Sequence, residues 1–402
     1  MNLFIKIIIG FLKNLLIFSL IILLISSFQY YHTEIYTFEK PEPFSGDYLY
    51  NPYQNYKANT LKANFHAHSN AWFNLTNGKH SADKVINHYK ENGYDIISIS
   101  DYNKINVDRN NPDYIKTYEH GTNFGKKHQL VIGADQVTPF DFPLFQNTHQ
   151  KQQVIKKIKS SNQIIALAHP KLLNAYTPED LKLLKGFTHI EIMNHYKSST
   201  TIWDQALSSG KLLWALSGDD SHDIDKSYYT FVNWNRIGIT NKNKNSVMKA
   251  LREGNHYAVT NKKHVDTNFL DSCVLNNNQV TVYFKNQADR ITFIGNHGTI
   301  NKDYKNCKAA SCTISPNDTY IRVEAETGNG TIFLNPLIRY NGKHLQINSN
   351  YPAINPYLTI LYRIVVLVFN SFILILILIL NGNLVVSYKK RKTSLKLKFP
   401  FN

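Results

Sequence analysis

Acidic residues are scarce in this chain of 402 residues: 29 Asp and Glu stand against 45 Lys and Arg, a formal net charge of +16. Cysteine is scarcer still. Three of them cannot staple a disulfide-dense scaffold. Charged residues make up only 18% and hydrophobic ones 43%, which excludes a chain disordered throughout and leaves ample material for packed cores. A long basic stripe is also missing. A large positive charge first suggests nucleic acid, yet the basic residues are scattered except for Lys389, Lys390, Arg391, Lys392, Lys396 and Lys398. An anionic inner leaflet is the simpler partner for that tail, and no nucleic-acid partner is expected. The length fits two or three modules.

Two apolar runs bound the chain. Leu15 to Phe28, with Ile7 to Leu12 before it, is long enough to span a bilayer. It ends in Ile25-Ser26-Ser27-Phe28-Gln29, without a clean small-x-small cleavage pattern, so a retained signal anchor is expected over residues 1–29. The second run, 357–380, is broken only by Arg363, Asn370 and a few hydroxyls, and reaches roughly 36 Å as a helix. Lys6, Lys13 and the basic tail of 381–402 place both termini in the cytoplasm by the positive-inside rule. The expected location is therefore the cell membrane, with the region between the spans extracytoplasmic. Cys307 and Cys312, in a polar stretch, can pair in such a compartment, with Cys273 left over.

Between the spans, strand and helix patterns alternate. Residues 30–59 are rich in Tyr and Pro and read as a spacer or a strap. Short apolar strands are expected at 61–66, 95–100, 129–133, 164–168, 188–193, 212–216 and 256–260. Helices fall between them: one capped by Ser81 and ended by Gly93, one near 149–160, one capped by Thr177 with Pro178 at its first position, and others at 201–209 and 246–253. This α/β alternation over 60–265 predicts a barrel of parallel strands, with a doubly wound sheet as the alternative. Residues 266–350 change texture and read as a small β domain.

Polar residues suited to metal ligation recur where these strands end. His66-Ala67-His68 places two imidazoles on one strand face. Ala168-His169-Pro170 follows a second strand, and Asp220-Ser221-His222 repeats the two-residue spacing after a third. Asp101 and Asp135 end two more, and His149 opens a helix. A barrel collects its active site at the strand C-termini, so the recurrence is more telling than any one motif.

In these motifs the chain resembles the polymerase and histidinol phosphatase (PHP) superfamily of metal-dependent phosphoesterases. The likeness covers roughly residues 60 to 265. It rests on His66-Ala67-His68-Ser69, Ser100-Asp101-Tyr102, Gly133-Ala134-Asp135, the intact Ala168-His169-Pro170, and Asp220-Ser221-His222, with support from Leu251 to Tyr257 and Asn335-Pro336. The resemblance implies a distorted (β/α)7 barrel followed by the small β domain and flanked by the two membrane helices. It implies two or three divalent transition ions, Zn²⁺, Mn²⁺ or Fe²⁺, on His66, His68, Asp101, Asp135, His149, His169, Asp220 and His222. Tyr102 and Asn77 stand where the family places further ligands, so a two-ion centre is expected, with Asp135 or Asp220 as the shared carboxylate.

The implied activity is hydrolysis of a phosphoric ester by metal-bound hydroxide. The substrate would be a phosphorylated small molecule or a phosphodiester outside the cytoplasm. Beside Asp220, the expected catalytic groups are Arg109, as a phosphate contact, and His195, as proton donor to the leaving oxygen. A metallohydrolase of another bond and a barrel that only binds are the alternatives.

Overall fold

The computed structural model describes residues 3–397 apart from 161–162, 265, 267–268, 329, 344, 346–350, 383 and 390–391. Lys390, Arg391 and Lys398 of the basic tail lie outside the described residues. The chain divides into two compact units.

One unit takes in Met1–Thr37, Phe142–Gln153 and Ala353–Asn402. Two of its helices, Leu3–Phe28 and Pro356–Leu380, are long and apolar enough to cross a membrane. Asn355 caps the second by accepting the Leu358 N–H at 3.0 Å, with Pro356 in the first turn. Ser27 Oγ donates to Asn370 Oδ1 at 2.5 Å, while Ile17 clusters with Ile373 and Ile377. The contacts run in opposite chain directions, so the helices are antiparallel and the start of one lies beside the end of the other. The bond also explains the polar Asn370 inside an apolar run: it is paired across the helices. Beyond the helices, Tyr36–Thr37 pairs with Ala353–Ile354, and Gln150 donates to Thr33 Oγ1 and Tyr362 Oη.

The other unit, Phe38–Asp141 and Val154–Pro352, is an α/β fold with a β-rich region. Its strands are β1 (Leu61–Asn64), β2 (Ile96–Ile97), β3 (Thr117–His120), β4 (Gln129–Ile132), β5 (Ile164–Leu167), β6 (His189–Met193) and β7 (Trp214–Ser217). They continue as β8 (Asn233–Ile237), β9 (His256–Asn261), β10 (Leu270–Asn276), β11 (Gln279–Ile294), β12 (Ile300–Thr313), β13 (Tyr320–Thr327) and β14 (Gly330–Leu334). Strands β3-β4-β5-β6-β7 form a 5-stranded sheet in that order. Among the described residues an 11-stranded sheet follows the path β10-β11-β13-β14-β9-β8-β1-β2, with β12 beside β11 and two further strands off the path, Leu337–Tyr340 beside β13 and Tyr48–Tyr50 beside Leu337–Tyr340. Single bridges link the two sheets, Tyr102 to Glu119 and Ala67 to Ser221.

Local sequence explains the elements. β5 and β7 are buried at every position, as strands covered on both faces must be. Ser81, Thr177 and Asn243 cap their helices through side-chain oxygens, and Thr177 with Asp180 completes a capping box. β1 and β2 are parallel because the helix Ala82–Glu91 makes the crossover. β4 departs from the expected all-parallel order: it is antiparallel to both β3 and β5. The link from β3 to β4 is residues 121–128, too short for the dozen or more residues that a parallel crossover needs. The cysteines are free. Cys307 and Cys312 share strand β12, and five extended residue steps place them about 17 Å apart, far beyond disulfide reach.

Candidate metal centre

Past β1 the chain continues as Phe65 to His68, fixed by Asn64 Oδ1 accepting the His66 N–H at 2.8 Å. Beside it runs the segment after β7: Asp220 N–H donates to His66 O at 2.9 Å, and His68 N–H to Ser221 O at 2.8 Å. These bonds bring the His-x-His and Asp-x-His motifs together. Asp220 Oδ1 lies 3.2 Å from both His66 Nε2 and His68 Nε2. Glu119 on β3 closes the group, with Oε2 at 3.5 Å from His66 Nε2 and 3.2 Å from His68 Nε2. Its other oxygen, Oε1, lies 2.6 Å from His128 Nδ1 and 3.0 Å from His169 Nε2. One carboxylate therefore faces two groups of imidazoles, all buried.

His66 Nε2, His68 Nε2, Glu119 Oε2 and Asp220 Oδ1 make no hydrogen bond although each is buried. Buried polar atoms are normally partnered. Four that are not, all within 4.8 Å of one another, fit a cation at their centre. The mixed nitrogen and carboxylate donors suit Zn²⁺, Mn²⁺ or Fe²⁺ better than Ca²⁺. The clusters have the capacity for one or more divalent ions.

The electrostatics show the same demand. Burial opposes a charge on His66 and His68, yet the Asp220 and Glu119 carboxylates, with Glu191 for His66, outweigh it. They hold His66 well above the usual histidine range and raise His68 to about 9. Burial also opposes the charges on Glu119 and Asp220, but the histidines around them hold both well below the usual carboxylate range. Protons and a metal ion compete for the same nitrogens.

A supporting layer orients these donors. Glu191 on β6 accepts from His66 Nδ1 at 2.9 Å and, through its other oxygen, from the His169 backbone N–H at 2.8 Å and Asn194 Nδ2 at 3.1 Å. The first bond puts the His66 proton on Nδ1 and leaves Nε2 free to ligate. Asp219 accepts from Asn64 Nδ2, Tyr89 Oη and the N–H groups of Phe231, Val232 and Asn233. Burial still raises its carboxyl to about 7. That anchorage holds Asp220 in the left-handed region at φ 51°, and His169 sits at φ 29°. Non-glycine residues occupy this region only where their surroundings impose it, which is common at functional sites.

A cavity of about 550 Å³ borders the centre, lined among others by Trp72, Leu75, Tyr102, Lys126 and His128. The Tyr102 ring stacks on His68 with centroids 4.8 Å apart.

No family model and no curated protein matches the chain. Among solved structures, it is similar to a two-domain protein from Bacteroides vulgatus containing a predicted PHP-like metal-dependent phosphoesterase. The identity is 14%, covering 76% of this chain and 92% of that one, with a TM-score of 0.41. At that level the likeness assigns no residue and no activity here.

Of the residues expected from sequence, the structure brings His66, His68, His169 and Asp220 to the clusters. His222 stands beside them, 3.4 Å from Asp220 Oδ1 and stacked on His68 at 4.3 Å. Asp101 is buried nearby, but its oxygens accept from the Ser69 N–H, Ser69 Oγ and Asn106 Nδ2, and it reaches His68 Nδ1 only at 4.0 Å. His195 donates from Nδ1 to the Asp219 carbonyl at 2.7 Å. Three residues stand apart from the clusters. Asp135 is exposed, because antiparallel β4 delivers its C-terminal end beside the start of β5, away from His169. Its N-terminal neighbour His128 arrives at the centre instead. His149 belongs to the other unit and accepts the Tyr36 N–H at 3.1 Å. Arg109 is exposed in a turn and does not line the cavity, where the cation is Lys126. His80 pairs with Asp223 and Asp225 in a separate, partly exposed cluster.

Glu119 and His128 escaped the sequence reading. Thr117-Tyr118-Glu119-His120 does not look like a buried strand, since three of its four residues are polar. The available signal was His128, directly before the apolar run Gln129 to Ile132.

Proposed function

We propose that the chain is a metal-dependent phosphoesterase whose centre holds two divalent ions on His66, His68, Asp220, Glu119, His128 and His169. The observation that carries this reading is Glu119, which presents one oxygen to each histidine group. Strands β1 to β7 are read as a distorted seven-stranded barrel, supported by the bridges Ala67 to Ser221 and Tyr102 to Glu119. Bound ions would activate water and offset charge on phosphoryl oxygens. Lys126 at the cavity wall supplies a phosphate contact. His195, fixed through Nδ1 to the Asp219 carbonyl, gives the leaving oxygen its proton from Nε2. The two membrane-length helices, antiparallel in their unit, support a membrane enzyme with both termini on one side. That side is proposed to be the cytoplasm, with the centre outside it.

The test uses the full chain, metal-loaded, against a panel of phosphomonoesters and phosphodiesters with Mn²⁺ or Zn²⁺. Chelator-sensitive phosphate release is expected. Asp220→Asn and His66→Ala should each lower it roughly a hundredfold or more. Folded protein with occupied ions and no turnover on any ester overturns the proposal.

A further inference from the structure

The loop behind His68 displays its apolar side chains. Trp72, Phe73 and Asn74 lie consecutively in the left-handed region, at φ 53°, 56° and 65°. Side chains on Trp72 and Phe73 disfavour this region sterically, so the turn needs holding. Trp72 Nε1 donates to the Tyr102 carbonyl at 2.7 Å, and the Thr76 hydroxyl bonds to Ala71 on both its N–H and C=O. This ordered turn leaves Phe73 99%, Leu75 86% and Trp72 48% exposed. The 121–128 loop, which lines the cavity with Asn123, Lys126 and His128, adds Phe124 at 80% exposure. Exposed apolar residues gathered in this way mark a binding surface.

What they surround decides the ligand. Trp72 and Leu75 line the same cavity as Lys126, Tyr102 and His128, and His128 also belongs to the candidate centre. A cation and the His128 imidazole thus line the same cavity as two members of the exposed apolar group. A ligand matching both is an amphiphile, anionic at one end and hydrocarbon at the other. The same chain carries two helices of membrane-spanning length, which would keep it where such molecules are concentrated. We infer that the substrate is a membrane-borne phosphoester with an acyl or alkyl chain, its phosphate at the centre and its chain against Trp72, Phe73, Leu75 and Phe124. The inference rests on the phosphoesterase reading for the head group and goes beyond it in naming the chain.

Binding separates the two claims. The metal-loaded full chain in nanodiscs is titrated with methyl-, butyl- and octylphosphonate, which cannot be hydrolysed. The readout is emission from Trp72; Trp203, Trp214 and Trp234 are buried. Affinity should rise roughly tenfold or more from methyl to octyl. The gradient should flatten in the Phe73→Ser/Leu75→Ser/Phe124→Ser variant and weaken in Phe73→Ser alone, a residue too exposed to support the fold. Equal affinity for methyl and octyl overturns the inference. So does a gradient that survives the triple substitution, which would put the chain in the bilayer instead. Absence of ester turnover counts against the phosphoesterase reading and leaves the binding result to decide the chain.

Discussion

Gly218 lies against Glu191: a Cβ at position 218 would come within 2.3 Å of Glu191 Oε1, the oxygen that accepts from His66 Nδ1, and within 2.7 Å of His66 Cβ. Gly218 therefore keeps the space in which Glu191 orients His66. Gly218→Ala removes no donor, yet it should displace that pair. Metal affinity should fall roughly 10- to 100-fold, the usual loss when an orienting partner is disturbed. Overpacking should cost about 1–3 kcal/mol of stability. Competition with a chromogenic chelator measures the first and urea unfolding the second. Unchanged affinity would show that Glu191 does not set the His66 ring.

Glu119 is the residue whose loss should empty the centre. Glu119→Gln preserves shape but removes the negative charge facing both histidine groups. Elemental analysis after metal reconstitution should fall from two ions per chain to fewer than one. Asp135→Asn and His149→Ala should leave the stoichiometry unchanged, because neither residue belongs to the clusters. A fall in either of those variants, with Glu119→Gln still loaded, would restore the ligand set expected from sequence.

What could be read from the sequence follows from chain distance. The pairs His66/His68 and Asp220/His222 are legible because alternate residues share a face, and His169 because it ends an apolar strand. Strand β5 and the capped helices were equally legible, since local pattern and burial agree there. Glu119 was not legible, because β3 buries Thr117, Glu119 and His120 where an ordinary strand would carry apolar residues. A functional site breaks the pattern in this way. His128 and Asp135 changed places for a different reason. Their roles depend on the direction of β4, which is set by the length of its connection rather than by its own residues.

Acid should weaken the fold through a buried pair outside the clusters. His189 and His256 stack with centroids 5.5 Å apart, and both are fully buried. Burial pushes His256 down to about 4, and burial together with His256 pushes His189 well below the usual range. In the window between about 4 and the ordinary value near 6.5, the unfolded chain binds more protons than the folded one. Stability is therefore full above that window and lost as pH falls through it, by roughly 3 kcal/mol for His256. Urea midpoints from pH 7.5 to 4.5 should fall more steeply for the wild type than for His256→Gln. Parallel curves would show that His256 does not titrate in this range.

Asn335 follows the end of β14 and precedes Pro336. Its side chain is fully buried. Oδ1 accepts the Ala215 N–H of β7 at 2.7 Å, and Nδ2 donates to the carbonyls of Gly254 at 3.0 Å and His256 at 2.8 Å. Its backbone N–H donates to Tyr53 Oη at 2.6 Å, and that hydroxyl donates in turn to the His256 carbonyl at 3.0 Å. One amide thus ties β7, from which the Asp220 segment extends, to β9 and the end of β14. Asn335→Ala leaves three backbone groups buried without that partner. At about 1–3 kcal/mol for a group left unsatisfied, the loss should be the largest of any substitution proposed here outside the centre. Asn335→Asp cannot rescue it, since a carboxylate has no hydrogen to give the two carbonyls. Tyr53→Phe should cost less, and the double variant more than the sum of the two, because each single variant leaves the His256 carbonyl one donor and the double leaves it none. A strictly additive double variant, or an Asn335→Ala protein as stable as the wild type, would show that the tie does not hold the sheets in register.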